Sequence, residues 1–371
     1  MNNGQPMKVL ICNFESLQTP SGVASFAIKL LRHLPYMEAL TTRNIFNTPL
    51  EKKEVNLEAR TLFNEIFWIA PTKFRLITQK IREFDLVHLN PFNFSELLLL
   101  FIAKIQRKKC IATMHSNINF HFLTYIVGLE IARLIIVYNL NLFLTDGIVF
   151  LTSAHYENYR KYSLLSSCFR KKAAIIPNAI ESHRILDHKK KPIPGRLSCI
   201  FVGRFEKRKG ICDVLQLAEG LQAEDIEFLL VGYGSPASPE KTSKNILMVG
   251  RVPNEDLFDY YDRCQILFFP SYTEAFGITI LEAMARGLVL LVSDIPGINE
   301  FVKEGRNGYL FPPGDIGKMK ERLLFLRDNP GEIERISRNN LADVQQFTVE
   351  KQARKYLEVY RNVWRHDQNS L

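Results

Sequence analysis

The 371-residue sequence contains no C-x-x-C pair, no D-x-D, no internal repeat and no uninterrupted apolar run long enough to span a bilayer. Each absence closes off a class of protein. Six cysteines (Cys12, Cys110, Cys168, Cys199, Cys212 and Cys264) are scattered, four of them in or beside apolar runs, so they read as reduced structural thiols. Met1 to Pro6 carry neither a basic start nor an apolar core, and the strand-like Lys8 to Cys12 follows at once. No secretory signal is expected, and the chain is expected in the cytoplasm. The most apolar long segment, 122–151, is broken by Glu130, Arg133, Asn139, Asn141 and Asp146, too often for a span of about 20 residues. It reads as a buried helix followed by a strand. With no metal-like spacing of carboxylates and histidines, neither a metal nor another cofactor is expected.

What is present is a globular composition, 46% hydrophobic and 23% charged, with enough chain for two cores. Short apolar runs alternate with helix-like segments from end to end, the pattern of parallel sheets covered by helices on both faces. The expected fold class is α/β. In the first half the strand candidates are Lys8 to Cys12, Asp85 to Leu89, Cys110 to Met114, Gly147 to Leu151 and Ala173 to Ile176. In the second half they are Leu197 to Val202, Ile226 to Val231, Ile246 to Val249, Ile266 to Phe269 and Leu288 to Val292. Between the sets, Pro177-Asn178 opens a polar, aperiodic stretch reaching Gly195. The expected domains are therefore 1–178 and 179–348, each doubly wound and Rossmann-like, with an amphipathic helix in 349–371 packing back on the first.

The net charge of +9 is uneven, because residues 1–178 hold 21 Lys plus Arg against 12 Asp plus Glu, and the remainder is balanced at 27 each. A basic first domain suits an anionic partner, such as a membrane surface or a phosphorylated acceptor. Arg107-Lys108-Lys109 and Arg170-Lys171-Lys172 are its sharpest points, although runs this short also fit an ordinary solvated face. Without a basic and aromatic module, nucleic acid is not an expected partner.

In such sheets ligands bind beyond the C-terminal ends of the strands, so chemistry is sought in the loops there. Gly203-Arg204 to Lys209-Gly210 follows one strand, and Arg204 and Lys209 could offset charge on a departing diphosphate; a solvated basic turn fits the same residues. After Phe269 come Glu274-Ala275-Phe276-Gly277-Ile278 and a helix expected to start near Phe276 and end at Gly287. The amides of Phe276, Gly277 and Ile278 would face outward with the positive helix end behind them, a ready phosphate site. Glu282 lies inside that helix, roughly 12 Å along the axis from Glu274, so the two acids could serve opposite ends of one elongated ligand. In the first half, Thr19-Pro20-Ser21-Gly22 sits between strand and helix, where Gly22 lets backbone amides approach a phosphate, or Ser21 simply caps the helix. His115 ends a strand, either as a cleft residue or as a structural histidine.

Glu274 and Glu282 with seven residues between them, the Arg204 to Lys209 turn, Pro177-Asn178, and Pro296-Gly297 followed by Glu300 and Asn307-Gly308 together resemble the retaining glycosyltransferases of family 4. The resemblance implies the GT-B fold, two Rossmann-like domains facing across a cleft. It implies that Arg204 and Lys209 bind the donor diphosphate, that Glu282 holds the ribose, and that Glu274 faces the sugar. Phe276, Gly277 and Ile278 would offer amides to sugar and phosphate, Arg251 and Val252 would flank the base, and Gly22 would close on the diphosphate from the first domain. His115 would hydrogen-bond a sugar hydroxyl. Two departures stand out: Ser21 replaces a glycine common in the family, and Ser116-Asn117 follow His115 where an acid or second histidine is frequent.

The expectation is a retaining, metal-independent, hexosyltransferase-type enzyme. It would take a nucleotide-diphosphate sugar, UDP-sugar favoured, to a glycan or lipid-linked glycan for cell-surface polysaccharide or glycoconjugate synthesis. The basic domain gives it peripheral contact with an anionic membrane at the inner face. The alternatives are a sugar-nucleotide epimerase of similar fold and a non-catalytic sugar-nucleotide binder. The sequence does not name the sugar, the acceptor or the oligomeric state.

Overall fold

The computed structural model describes residues 7–13, 22–34, 36–41, 54–56, 59–62, 66–69, 71–90, 94–116, 139–140, 142–163, 170–187, 196–234 and 243–365. The chain divides into two compact units, Met1–Asn178 with Val349–Leu371, and Ala179–Thr348.

In the first unit the strands are β1 (Val9–Asn13), β2 (Met37–Thr41), β3 (Glu54–Asn56), β6 (Leu86–Leu89), β7 (Lys109–Thr113), β8 (Gly147–Phe150) and β9 (Ala173–Ile175). They form one sheet in the order β3-β2-β1-β6-β7-β8-β9, and every pairing is parallel. A separate antiparallel hairpin joins β4 (Ala59–Leu62) to β5 (Ile66–Ile69). The period of two along β1 explains why the sheet needs helices on both faces. Leu10 and Cys12 pack with Ile77 and Ile81 of α2 (Pro71–Arg82) and Leu97 and Leu100 of α3 (Phe94–Ile105). Val9 and Ile11 pack on the opposite face with Phe26 and Leu30 of α1 (Gly22–His33) and with Tyr356 and Tyr360 of the C-terminal helix Val349–Arg365. The C-terminal helix thus belongs to the core of the first unit. Ser153–Tyr162 forms α4, capped by the Thr152 hydroxyl accepting from the His155 amide.

In the second unit β10 (Leu197–Arg204), β11 (Ile226–Tyr233), β12 (Ile246–Gly250), β13 (Ile266–Phe269), β14 (Val289–Ser293) and β15 (Gly308–Phe311) pair in parallel in the order β12-β11-β10-β13-β14-β15. This is the doubly wound order, with its switch between β10 and β13. Helices α5 (Ile211–Glu219), α6 (Leu257–Asp262), α7 (Ile278–Ala285), α8 (Ile316–Asp328) and α9 (Pro330–Asp343) cover the sheet.

Strands β2, β3, β4, β5 and β15 have no counterpart among the sequence candidates, and the other strands differ from theirs mainly at the ends. Strands β10 and β11 continue two residues past Val202 and Val231, because Gly203 and Gly232 pair and carry the ladder to Arg204 and Tyr233. The glycines Gly203 and Gly232 are therefore strand residues rather than loop residues. Helix α7 begins at Ile278, not Phe276, since Gly277 takes a left-handed conformation as its N-cap. Much of the segment 122–151 and all of Thr19-Pro20-Ser21 lie outside the described residues.

Candidate functional site

The described geometry concentrates at the switch point of the second sheet. Strand β10 delivers Arg204, then a 3-10 turn Lys207–Lys209, and β13 delivers the loop from Pro270 to Gly277. The turn and the loop can touch because Gly210 has no side chain. It sits at φ 74°, and a Cβ there would lie 2.2 Å from the Pro270 carbonyl oxygen. The Tyr272 amide donates to the Arg208 carbonyl at 3.0 Å, stitching loop to turn. On this frame the Lys209 ammonium hydrogen-bonds the Glu274 carboxylate, and Ser271 Oγ donates to the same Oε1 at 3.1 Å. Both side chains are largely buried, at 20% and 10% exposure, so the contact is poorly screened and each charge depends on the other.

Behind Glu274 the chain is anchored by Phe276, whose buried ring stacks on Phe301 with centroids 4.8 Å apart. Gly277 follows at φ 80°, and a Cβ would meet the Phe269 ring at 3.1 Å. Side-chain-free backbone at this point lets the helix turn start directly against the sheet. The first amides of α7 carry the positive end of the helix dipole. Thr279, in its first turn, has a buried hydroxyl oxygen with no partner among the described residues.

Glu282 is partly buried in α7 and accepts a hydrogen bond at 3.0 Å from the hydroxyl of the fully buried Tyr261 in α6. Burial, then the neighbouring Glu282 charge, push the Tyr261 phenol well above its ordinary value, so it stays a donor. Arg204 is set apart from the Lys209–Glu274 contact. It is half-exposed and pairs with Glu206 at 2.8 Å. Arg251 and Val252 follow β12, and the Arg251 guanidinium lies over the Tyr233 ring at 5.2 Å. Arg204 and Tyr233 are register partners at the ends of β10 and β11, so Arg204, Tyr233 and Arg251 line the same C-terminal edge of the sheet.

In the first unit, Gly22 opens α1 after β1, and His115 follows β7. His115 Nε2 lies 3.1 Å from Asn90 Oδ1, and its ring meets Phe26 edge-on at 4.9 Å. Burial, then the nearby His155, lower its pKa to about 3, so the imidazole is uncharged at neutral pH. Its Nε2 hydrogen is placed by Asn90, a buried residue whose own amide nitrogen has no partner among the described residues. Further histidines are locked into the core. His88 joins Tyr360 at 2.6 Å and Thr113 at 2.7 Å, and His155 reaches the Ser116 carbonyl at 3.0 Å while accepting from the Leu151 amide.

The structure therefore brings Lys209, Glu274 and the start of α7 together, and it places Glu282 on the same helix with Tyr261 as its support. Sequence reasoning did not reach Ser271, Tyr261, Thr279 or Asn90. Among the described residues, no group of three or more His, Cys, Asp or Glu could hold a metal ion.

Comparison with known proteins finds similarity to glycosyltransferases. Residues 184–343, nearly all of the second unit, match the family model of glycosyl transferases group 1. The O-antigen chain mannosyltransferase C of Escherichia coli is 25% identical over 326 residues, covering 81% of this chain and 83% of its own. An uncharacterized 41.2 kDa protein in the cps region of Klebsiella pneumoniae is 24% identical over 286 residues, 73% and 78% of the two chains. The match to an uncharacterized glycosyltransferase of Methanocaldococcus jannaschii is shorter, 26% identical over 170 residues and spanning 48% of that relative. Among solved structures, Anabaena Alr3699/HepE in complex with UDP-glucose superposes with a TM-score of 0.77, 17% identity, and coverage of 96% of this chain and 100% of that one. A sucrose-phosphate synthase from Thermosynechococcus elongatus gives 0.73 at 18% identity, covering 97% and 100%. At these identities the structures speak for the fold. Residues 184–343 are thus similar to glycosyl transferases group 1, on a chain whose two parallel-sheet α/β domains make the GT-B fold.

Proposed function

We propose that this protein is a retaining, metal-independent hexosyltransferase of family 4. It moves a sugar from a nucleotide-diphosphate donor, UDP-sugar favoured, to a glycan or lipid-linked glycan in cell-surface polysaccharide or glycoconjugate synthesis, at the inner face of the membrane. The observation that carries this reading is the contact of Lys209 with Glu274 beside the start of α7, at the switch point of the second sheet.

A pyrophosphate seated there meets the amides of Phe276, Gly277 and Ile278, the ammonium of Lys209 and the guanidinium of Arg204, with Gly22 offering further amides. The Thr279 hydroxyl is an additional donor within the same turn. As the bond from the anomeric carbon to the diphosphate breaks, these groups take up the negative charge on the leaving oxygen, the largest single contribution such sites make. The acceptor oxygen bonds to the anomeric carbon from the face that the diphosphate leaves, and its proton passes to the departing phosphate oxygen. Glu274 holds sugar hydroxyls, Glu282 holds the ribose in an orientation fixed by Tyr261, and Arg251 and Val252 flank the base. His115 hydrogen-bonds a sugar hydroxyl. With a pKa of about 3 it is too weak a base to deprotonate an acceptor alcohol. Support comes from the relatives, an O-antigen mannosyltransferase among them, and from the UDP-glucose bound to the Anabaena protein of the same fold.

A thermal-shift screen against nucleoside diphosphates and their sugars tests the reading. A donor at a hundredfold excess over its Kd stabilises the native state by about 2.7 kcal/mol. UDP and a UDP-sugar are expected to raise the melting temperature, with turnover undiminished in excess chelator. No shift with any nucleotide, or an absolute need for a divalent cation, sinks the reading.

A further inference from the structure

A helix lying on a sheet normally turns polar residues outward. Helix α3 does not. Leu97, Leu99, Leu100, Ile102 and Ala103 are buried against the first sheet and α2, while Leu98, Phe101 and Ile105 are 39%, 41% and 81% exposed. The spacing i, i+3, i+7 puts these three on one outer stripe about 10 Å long. A fourth exposed apolar side chain, Phe143 at 53%, belongs to the segment beside the end of this helix. That placement follows from two contacts: Lys104 of α3 reaches Asp146 at 2.5 Å, and Lys172 donates to the Phe143 carbonyl at 2.8 Å.

The rim of this apolar face is cationic. Lys104 and Lys109 already share the carboxylate of Asp146, at 2.5 and 3.8 Å. Arg107 is exposed at the end of α3, and Arg170 and Lys171 are exposed just before Lys172, which donates to the Phe143 and Thr145 carbonyls; Asp146 is the acid that Lys104 and Lys109 face. Arg107 takes a left-handed conformation with φ 57° at the end of the helix, a place glycine usually fills. Backbone strain is accepted there with a long basic side chain in place. Exposed apolar side chains on one helix face with cations at the border are the composition of a helix lying in a lipid interface, not of one facing water. The surplus of 21 basic over 12 acidic residues in 1–178 has the matching sign for anionic headgroups.

We infer that the outer face of α3 is a membrane-docking surface: Leu98, Phe101, Ile105 and Phe143 enter the interface of an anionic bilayer while Arg107, Arg170 and Lys171 hold headgroup phosphates. No described helix is long and apolar enough to cross a membrane, so the contact is peripheral. The inference rests on the proposed function only in that it gives the membrane contact a location.

Flotation of the full chain with vesicles of phosphatidylglycerol and phosphatidylcholine in equal parts, against pure phosphatidylcholine, provides the test. The wild type is expected to float with the anionic vesicles and to lose most of that binding in high salt. Ile105→Glu and Phe101→Glu should each lower partition at least about tenfold, since a charge replaces buried apolar area. Reversing Arg170 and Lys171 to Glu should cost about fivefold per cation removed. The UDP-induced thermal shift, read on the same variants, reports that the fold is intact. Failure of the wild type to bind either vesicle, unchanged binding by Ile105→Glu and Phe101→Glu, or a wild-type dimer that Ile105→Glu dissolves, overturns the inference. Absence of a UDP shift alongside lipid binding that these variants abolish would remove the donor assignment and leave the docking surface standing.

Discussion

The two units handle polarity in opposite ways. At the switch point of the second sheet, charges are kept and neutralised by partners: Lys209 on Glu274 and Arg204 on Glu206. In the core of the first unit, polar groups are kept and their charge is removed. His88, His115 and His155 have pKa values lowered to about 3, 3 and 4, in each case chiefly by burial, and they hold their places through Tyr360, Thr113, Asn90 and the Ser116 carbonyl. A paired charge can exchange its partner for a ligand's phosphate at modest cost. A neutral buried imidazole can do no such thing, but it fixes geometry and titrates only by unfolding or opening. The first arrangement suits binding of an anion, the second the attachment of the C-terminal helix to its sheet.

The largest effect is expected from breaking the first arrangement. Lys209→Ala removes a cation from the proposed leaving-group site and strands a Glu274 side chain that is only 10% exposed. Turnover should fall about 10²- to 10³-fold, the usual loss when one such stabilising group is deleted. Steady-state kinetics with a UDP-sugar measure it. Recovered thermal stability in Lys209→Ala/Glu274→Gln would isolate the structural share of the pair. Wild-type turnover in Lys209→Ala breaks the comparison outright.

The second arrangement is probed by acid. For a histidine held neutral by burial, the unfolded chain binds a proton near pH 6.5 that the folded chain refuses, so stability is full above that pH and drains away as the pH falls toward the folded value. Between pH 7 and 5, His88 and His155 should each cost roughly 2 kcal/mol of stability. Carboxylates held down by partners act lower: Glu332, lowered to about 2 chiefly by its hydrogen bond from Arg335, loses its contribution only through the carboxylate range. Urea melts at stepped pH should therefore show a decline already at pH 6, reduced in His88→Gln. A stability profile flat from pH 7 to 5 would show that these histidines carry charge in the fold.

The contrast also explains what was legible in the sequence. The central strands β6, β7, β8, β13 and β14 are buried on both faces, so each is a run of apolar residues and announces itself. The edge and near-edge strands are not. Met37-Glu38-Ala39-Leu40-Thr41 has no such run, and Glu54–Asn56 is three residues long; both exist because β1 and then β2 offer a hydrogen-bonding edge. β15 was missed because Asn307-Gly308 reads as a turn, whereas Gly308 is a strand residue packed against the Leu290 carbonyl, where a Cβ would lie 1.8 Å away. The same holds for the site. Lys209, Glu274 and Glu282 sit in local motifs with fixed spacing. Tyr261 and Asn90 act across 21 and 25 residues of sequence, through contacts that only the sheet order creates.

The smallest expected effect sharpens the comparison most, because it joins both arrangements in one residue. The uncharged His115 ring carries one proton, and Asn90 Oδ1 at 3.1 Å assigns it to Nε2, leaving Nδ1 as an acceptor for the proposed contact with a sugar hydroxyl. In Asn90→Ala that assignment is lost without any change of charge, and kcat/KM should drop about tenfold, or about 1.4 kcal/mol. In Asn90→Asp a carboxylate accepts the same hydrogen and favours the imidazolium, so the His115 pKa should rise and activity should acquire a new pH dependence. Nitrogen-15 shifts of the labelled imidazole report the tautomer directly. A proton found on Nδ1 in the wild type would mean the Asn90 amide is turned round, donating to Nε2. Asn90 would then fix the opposite tautomer, and Nδ1 would offer a hydrogen rather than a lone pair to the sugar.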